Sequence, residues 1–128
     1  MRLVLVRHAE SESGAPDELR RLTAAGREQA RRLGVELRAQ GIAPDAVLSS
    51  PLLRARETAA ALGFGEAEPH DALAPGATED DVRSAIAGRG DTVVVVGHQP
   101  DCGRIAAALA GGAEPPFPPA GVAILDVS

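Results

Sequence analysis

Two histidines and a small set of arginines in this 128-residue chain stand where chemistry is easiest to assemble, directly after runs of β-favouring residues. Arg7 and His8 follow Leu3-Val4-Leu5-Val6, and Gly97, His98, Gln99 and Pro100 follow the valine run 93–96. Ser49, Ser50 and Pro51 follow Ala46-Val47-Leu48, with Arg54 and Arg56 one turn further on. Arg21 adds a cation from the segment ahead of the next helical pattern. Planar guanidinium forks suit an anion that accepts several hydrogen bonds at once, and phosphate is the dianion that uses them best. A neutral imidazole attacks phosphorus when one ring nitrogen faces the phosphoryl group and the other is held as a donor, usually by a backbone carbonyl. Arginines then neutralise the equatorial oxygens, and a second imidazole at hydrogen-bond range adds a donor in the transition state. These residue types point to phosphoryl transfer through a covalent phosphohistidine, needing no metal and no cofactor.

Neighbouring candidates fit simpler roles. No two of His8, His70 and His98 lie three or four positions apart, so metal-ligand spacing is absent. His70, in "EAEPHDAL", reads as a surface residue. Arg56 lies two positions from Arg54, so on a helix it faces another way. Cys102 reads as a small core hydrophobe, and Glu79, Asp80 and Asp81 as acidic residues favoured at a helix start.

Positioning such a set requires strands whose ends share one rim. Residues 3–6 and 93–96 are apolar without alternation, as in strands buried on both faces of a parallel sheet. Residues 46–48 and 122–127 are shorter or half-buried candidates, the last following the "PPFPP" loop, which makes four strands in all. Thr23 caps a helix through about Gln40, with Ala30, Leu33 and Leu37 on its apolar face and Gly41 as its left-handed stop. Ser50 followed by Pro51 reads as an N-cap with proline at the first helical position, opening a helix that Gly63 ends. Thr78 with Asp81 resembles a capping box for a short helix through Ile86, and residues 101–110 carry Cys102, Ile105, Ala106 and Leu109 at helical spacing. This alternation predicts an α/β fold, three layers with a mainly parallel central sheet, as one domain over residues 1–128. In such sheets ligands bind beyond the carboxyl ends of the strands, where Arg7, His8, Arg54 and His98 fall if those strands are neighbours.

Composition narrows the partners. The net charge of −5 argues against nucleic acid or an anionic membrane, and Phe64 and Phe117 are the only aromatic residues, so base-stacking platforms are missing. All 13 basic residues are arginine, in a chain of 45% hydrophobic and 24% charged residues typical of a soluble globular protein. No segment reads as a membrane span or signal peptide, and one cysteine cannot form an internal disulfide, so a cytoplasmic setting is expected.

Taken together, "LVRHAE" (5–10), "SSPLLRARET" (49–58) and "VVVVGHQP" (93–100) resemble the motifs of the histidine phosphatase superfamily, with its phosphoglycerate-mutase-like fold. The Arg-Leu-Thr of "RRLTAAGREQA" and the short chain are most similar to its SixA-type phosphohistidine phosphatases. The resemblance implies His8 as nucleophile, Arg7 and Arg54 as phosphate-binding arginines and His98 as the second catalytic histidine. It implies substrate contacts from Arg21 and, beside His98, Gln99. Ala9 stands where the family usually has glycine, and Gly14 where the mutase-like branch has an asparagine. Pro75, in "DALAPG", stands near that branch's glutamate acid, leaving Glu10, Glu79 and Asp80 as weak candidates for proton donor. A phosphoramidate leaving group needs less acid assistance than an alkoxide. The expected activity is therefore a metal-independent phosphatase for phosphohistidine on a protein. A phosphatase for a small phosphate ester and a non-catalytic phosphate-binding module are the alternatives.

Overall fold

Leu3–Val6 and Val93–Val96 are each no more than 1% exposed, as strands covered on both faces must be. The computed structural model describes residues 1–128. The elements run β1 (Arg2–Arg7), α1 (Ala24–Ala39), β2 (Ala46–Ser49), α2 (Leu53–Ala61), β3 (Glu68–Pro69), α3 (Glu79–Ile86), β4 (Thr92–Gly97), α4 (Asp101–Ala110) and β5 (Val122–Asp126). Single 3-10 turns lie at Asp17–Leu19 and Asp71–Leu73.

The sheet order is β3-β2-β4-β1-β5, parallel throughout except for antiparallel β5. Alternate side chains divide the core in two. Leu3, Leu5, Val93 and Val95 pack under α3 and α4 with Val82, Ile86, Cys102 and Ile105. Val4, Val6, Val94 and Val96 pack under α1 and α2 with Leu33, Leu37, Ala55 and Leu62. The architecture is the expected three-layer α/β/α arrangement. No helix is long and apolar enough to cross a membrane.

Two expectations need correction. There are five strands, not four, because Glu68 and Pro69 pair with Leu48 and Ser49. Two exposed residues, one a proline, carry no hydrophobic alternation to announce a strand. Helix α2 does not begin at Ser50 and Pro51. Its first helical residue is Leu53, and its N-cap position, Leu52, makes no side-chain cap bond. Elsewhere the caps fall as expected. The Thr23 hydroxyl accepts from the Gly26 amide at 2.9 Å, Gly41 takes φ +83°, and Thr78 with Asp81 forms a reciprocal capping box.

Helices α1 and α2 cross at Gly34, where a Cβ atom would meet the Leu62 carbonyl oxygen at 2.0 Å. Backbone cannot yield there without separating the helices, so Gly34→Ala is expected to destabilise the fold by about 2 kcal/mol or more through overpacking. Urea unfolding of the two proteins checks this, and a difference below about 0.5 kcal/mol would refute the close approach.

Candidate functional site

Parallel pairing of β1 with β4 sets each β1 residue opposite the residue 90 positions on, Leu3 with Val93 through Arg7 with Gly97. The next pair in that register is His8 and His98. The His8 amide donates to the Gly97 carbonyl at 2.9 Å, continuing the ladder one step past the strand. The imidazole centroids lie 5.2 Å apart with planes tilted by 58°. Strand β2 lies on the other side of β4, and the Ser50 amide donates to the Val96 carbonyl at 3.0 Å, bringing the start of α2 to the same rim. The three strand ends therefore converge, as the sequence required.

They meet at a cavity of about 430 Å³ lined by Arg7, His8, Arg20, Arg54, His98 and Gln99, with Glu10 and Asp17 among its further walls. His8 Nδ1 lies 2.8 Å from the Ala9 carbonyl oxygen, which can only accept, so Nδ1 carries the proton and Nε2 is left with its lone pair. Ala9 is fixed in turn, because its amide donates at 3.0 Å to the Thr58 hydroxyl, which itself donates to the Arg54 carbonyl at 2.8 Å. One residue of α2 thus ties the orientation of His8 to the helix that supplies Arg54.

His98 Nε2 lies 2.7 Å from Ser50 Oγ, while its Nδ1 is buried without a partner. That contact engages the hydroxyl that the sequence offered as a cap for α2, and Ser50 Oγ also accepts from the Leu52 amide at 3.2 Å. Arg7 donates from Nη1 to the Phe117 carbonyl at 3.0 Å, so the proline-rich loop serves as its brace. The Nε–H groups of both Arg7 and Arg54 are buried without an acceptor. Buried donors of this kind are costly unless something satisfies them, and an anion in the cavity is the natural complement.

The electrostatics agree. Burial, chiefly, with the charges of Arg54 and Arg7 holds His8 at a pKa of about 4, although its bond to Ala9 opposes the shift. Burial, His8 and Arg54 take His98 to about 3, with Asp17 pulling the other way. Both rings are therefore neutral at pH 7. Cys102, one turn past His98, is buried with Sγ 3.8 Å from the Val6 carbonyl, and burial pushes its thiol up to about 12.

The expected residues are not all in place. Arg7, His8, Arg54, His98 and Gln99 line the cavity, whereas Arg21 is exposed and outside it, and Arg20 takes the position instead. The chain at Arg20 is extended (φ −67°, ψ 128°), so adjacent side chains point opposite ways and only one of the two arginines can face inward. Gln99 spends its carbonyl on the Gly103 amide at 2.8 Å, bracing the start of α4. Among the weak proton-donor candidates only Glu10 reaches the cavity, and its carboxylate accepts from the Thr23 hydroxyl at 2.9 Å. Glu79 and Asp80 lie at the start of α3, outside it. Asp17 escaped the sequence reading altogether. It bonds to Arg54 through its carbonyl (2.9 Å) and carboxylate (3.3 Å), and its other carboxylate oxygen lies 3.1 Å from Arg20 Nε. No group of three or more His, Cys, Asp or Glu side chains is arranged to hold a metal ion. The arrangement can bind a phosphoryl group between arginines and present it to an unprotonated imidazole nitrogen.

Comparison with known proteins bears on the same region. Residues 3–74 match the histidine phosphatase superfamily (branch 1). The solved structure of the protein histidine phosphatase SixA complexed with tungstate superposes with a TM-score of 0.87 at 27% identity, covering 97% of this chain and 86% of that one. A SixA protein of Agrobacterium tumefaciens superposes with a TM-score of 0.83 at 29% identity over 98% and 90%. An uncharacterized protein of Picosynechococcus is 34% identical over 88% of this chain and 74% of its own.

The two depressed histidines make stability depend on pH. Their folded pKa values lie below the unfolded value of 6.5, so the unfolded chain takes up protons first as the solution is acidified. The associated stability is complete above about pH 6.5 and is lost as pH falls towards about 4 for His8 and about 3 for His98, roughly 3 kcal/mol for His8 alone. Histidine ring NMR signals, assigned with His8→Ala and His98→Ala, are expected to stay in the neutral form down to pH 5. Titration of either ring near 6.5 would contradict the buried, arginine-flanked setting.

Proposed function

This chain belongs to the histidine phosphatase superfamily, in its SixA-type branch, and we propose from that premise that it hydrolyses phosphohistidine on proteins through a phosphoryl-enzyme on His8, without a metal. The observation that carries this reading is the His8 ring, its Nδ1 proton committed to Ala9 and its Nε2 unprotonated beside His98 and Arg54. In the first half-reaction Nε2 attacks phosphorus and the bond from phosphorus to the leaving nitrogen breaks; that nitrogen keeps the electron pair, and the proton already on the other nitrogen of the substrate ring lets the imidazole depart neutral. In the second, water attacks the phosphoryl group, the P–Nε2 bond breaks, and inorganic phosphate leaves with His8 neutral again. Arg7, Arg20 and Arg54 neutralise the phosphoryl oxygens, and His98 adds a hydrogen bond as charge grows on them when its Nε2–H turns from Ser50 Oγ to a phosphoryl oxygen.

The substrate class rests on what the cavity does not supply. Pro75 lines the wall where a glutamate acid would be expected, and the Glu10 and Asp17 carboxylates are each engaged by a hydroxyl or by arginines. A phosphorylated imidazole takes up a proton on its free ring nitrogen near neutral pH and departs as weakly basic neutral imidazole with little further acid assistance, whereas an ester must expel a strongly basic alkoxide. The two SixA structures, one of them of a protein histidine phosphatase, support the same choice.

Rapid acid or base quench with labelled phosphohistidine protein is expected to trap label on the wild-type chain and none on His8→Ala, with turnover unchanged by a chelator. Arg54→Ala should lower kcat/KM by about 10²-fold or more, as expected for a lost transition-state contact. Label on a residue other than His8, or loss of turnover on chelation, would overturn the mechanism.

A further inference from the structure

The phosphate-binding cations of this pocket already hold an anion of the chain's own. Asp17 sits in the 3-10 turn after β1, its carboxylate 3.3 Å from Arg54 Nη2 and 3.1 Å from Arg20 Nε. The two partners differ in setting, since the Arg54 side chain is 6% exposed and that of Asp17 62%. The carboxylate therefore lies at the mouth, with solvent on one side and the buried guanidinium on the other. Its contact with Arg20 lacks hydrogen-bond alignment, so charge holds it there. Asp17 lines the cavity and is mostly exposed, so it faces both the seat among the arginines and the solvent from which a substrate enters.

We infer that Asp17 is a specificity-determining residue, whose carboxylate at the mouth disfavours phosphoryl donors carrying a second anionic group close to the phosphate and admits those whose leaving group is neutral or cationic. This rests on the phosphatase reading above and deepens it. A carboxylate next to the phosphoryl group, as in a phosphorylated hydroxy acid or amino acid, is brought against Asp17 at short range, where like charges repel through a partly excluded medium. A leaving imidazole carries no negative charge and, when protonated, presents an N–H that a carboxylate can accept. The same residue that sets the two arginines thereby separates phosphohistidine from anionic metabolites without touching phosphorus.

The test compares phenyl phosphate with 4-carboxyphenyl phosphate and 2-carboxyphenyl phosphate, reading kcat/KM for wild type and Asp17→Asn. Asp17→Asn is expected to raise the ratio for 2-carboxyphenyl over phenyl phosphate about three- to tenfold, with a smaller rise for the more distant 4-carboxylate, both shrinking as salt is added. Asp17→Glu should keep the wild-type preference, and Glu18→Gln, which removes an exposed carboxylate outside the cavity, should leave the ratios unmoved. If Asp17 only held Arg54 in place, all three esters would lose kcat/KM together and the ratios would stay fixed, which overturns the inference. Wild-type protein that turns over none of the esters nor a phosphohistidine protein would instead defeat the phosphatase reading itself.

Discussion

The parallel register between β1 and β4 is the constraint on which the site depends. It sets Leu3 through Arg7 against Val93 through Gly97, and the first residues past it are the two histidines. Because side chains alternate along a strand, a slip of one residue in β1 would exchange Leu3 and Leu5 with Val4 and Val6 between the two cores and send the His8 imidazole to the opposite face. Both cores are filled for the side chains they hold, and repacking them with others of different size typically costs about 1–3 kcal/mol, which keeps the register. The nearness of His8 and His98 is thus maintained by eight aliphatic residues that touch no substrate.

Burial first, and charge second, decide the state in which those rings are held. Both histidines are depressed chiefly by burial and further by Arg54, itself buried on the first turn of α2, and the neutral rings add no positive charge to an already cationic cavity. Asp17 offsets part of what remains. Thr58 of α2 and Ser50, three residues ahead of that helix, complete the assembly by fixing the two imidazoles, one through Ala9 and one directly. Helix α2 and the β2–α2 turn thus together mount both rings and an arginine.

Much of this was legible in the residues themselves. Unbroken aliphatic runs ending in Arg-His and Gly-His announced buried parallel strands with a polar rim, and the glycine stops and the threonine caps marked α1 and α3. What escaped was local backbone detail. Ser50-Pro51 is the same signal whether the hydroxyl caps a helix or braces His98, and only the neighbouring strand decides. Arg20 and Arg21 are chemically identical, and which one faces inward depends on backbone angles in a short extended segment. Asp17 lies 37 residues from Arg54 in the chain, so no periodicity links them. Strand β3 is too short and too polar to leave a pattern.

Cys102 lies one turn beyond His98, with its sulfur packed against the back of β1. A thiol kept protonated up to about 12 and shut away from solvent is a poor target for peroxide, alkylating reagents or disulfide exchange. Phosphatases that depend on a thiolate nucleophile carry an oxidisable atom at the centre of their chemistry. In the proposed mechanism the reacting atom is a ring nitrogen, and the one sulfur nearby is insulated, so an oxidant finds no exposed thiolate at this rim.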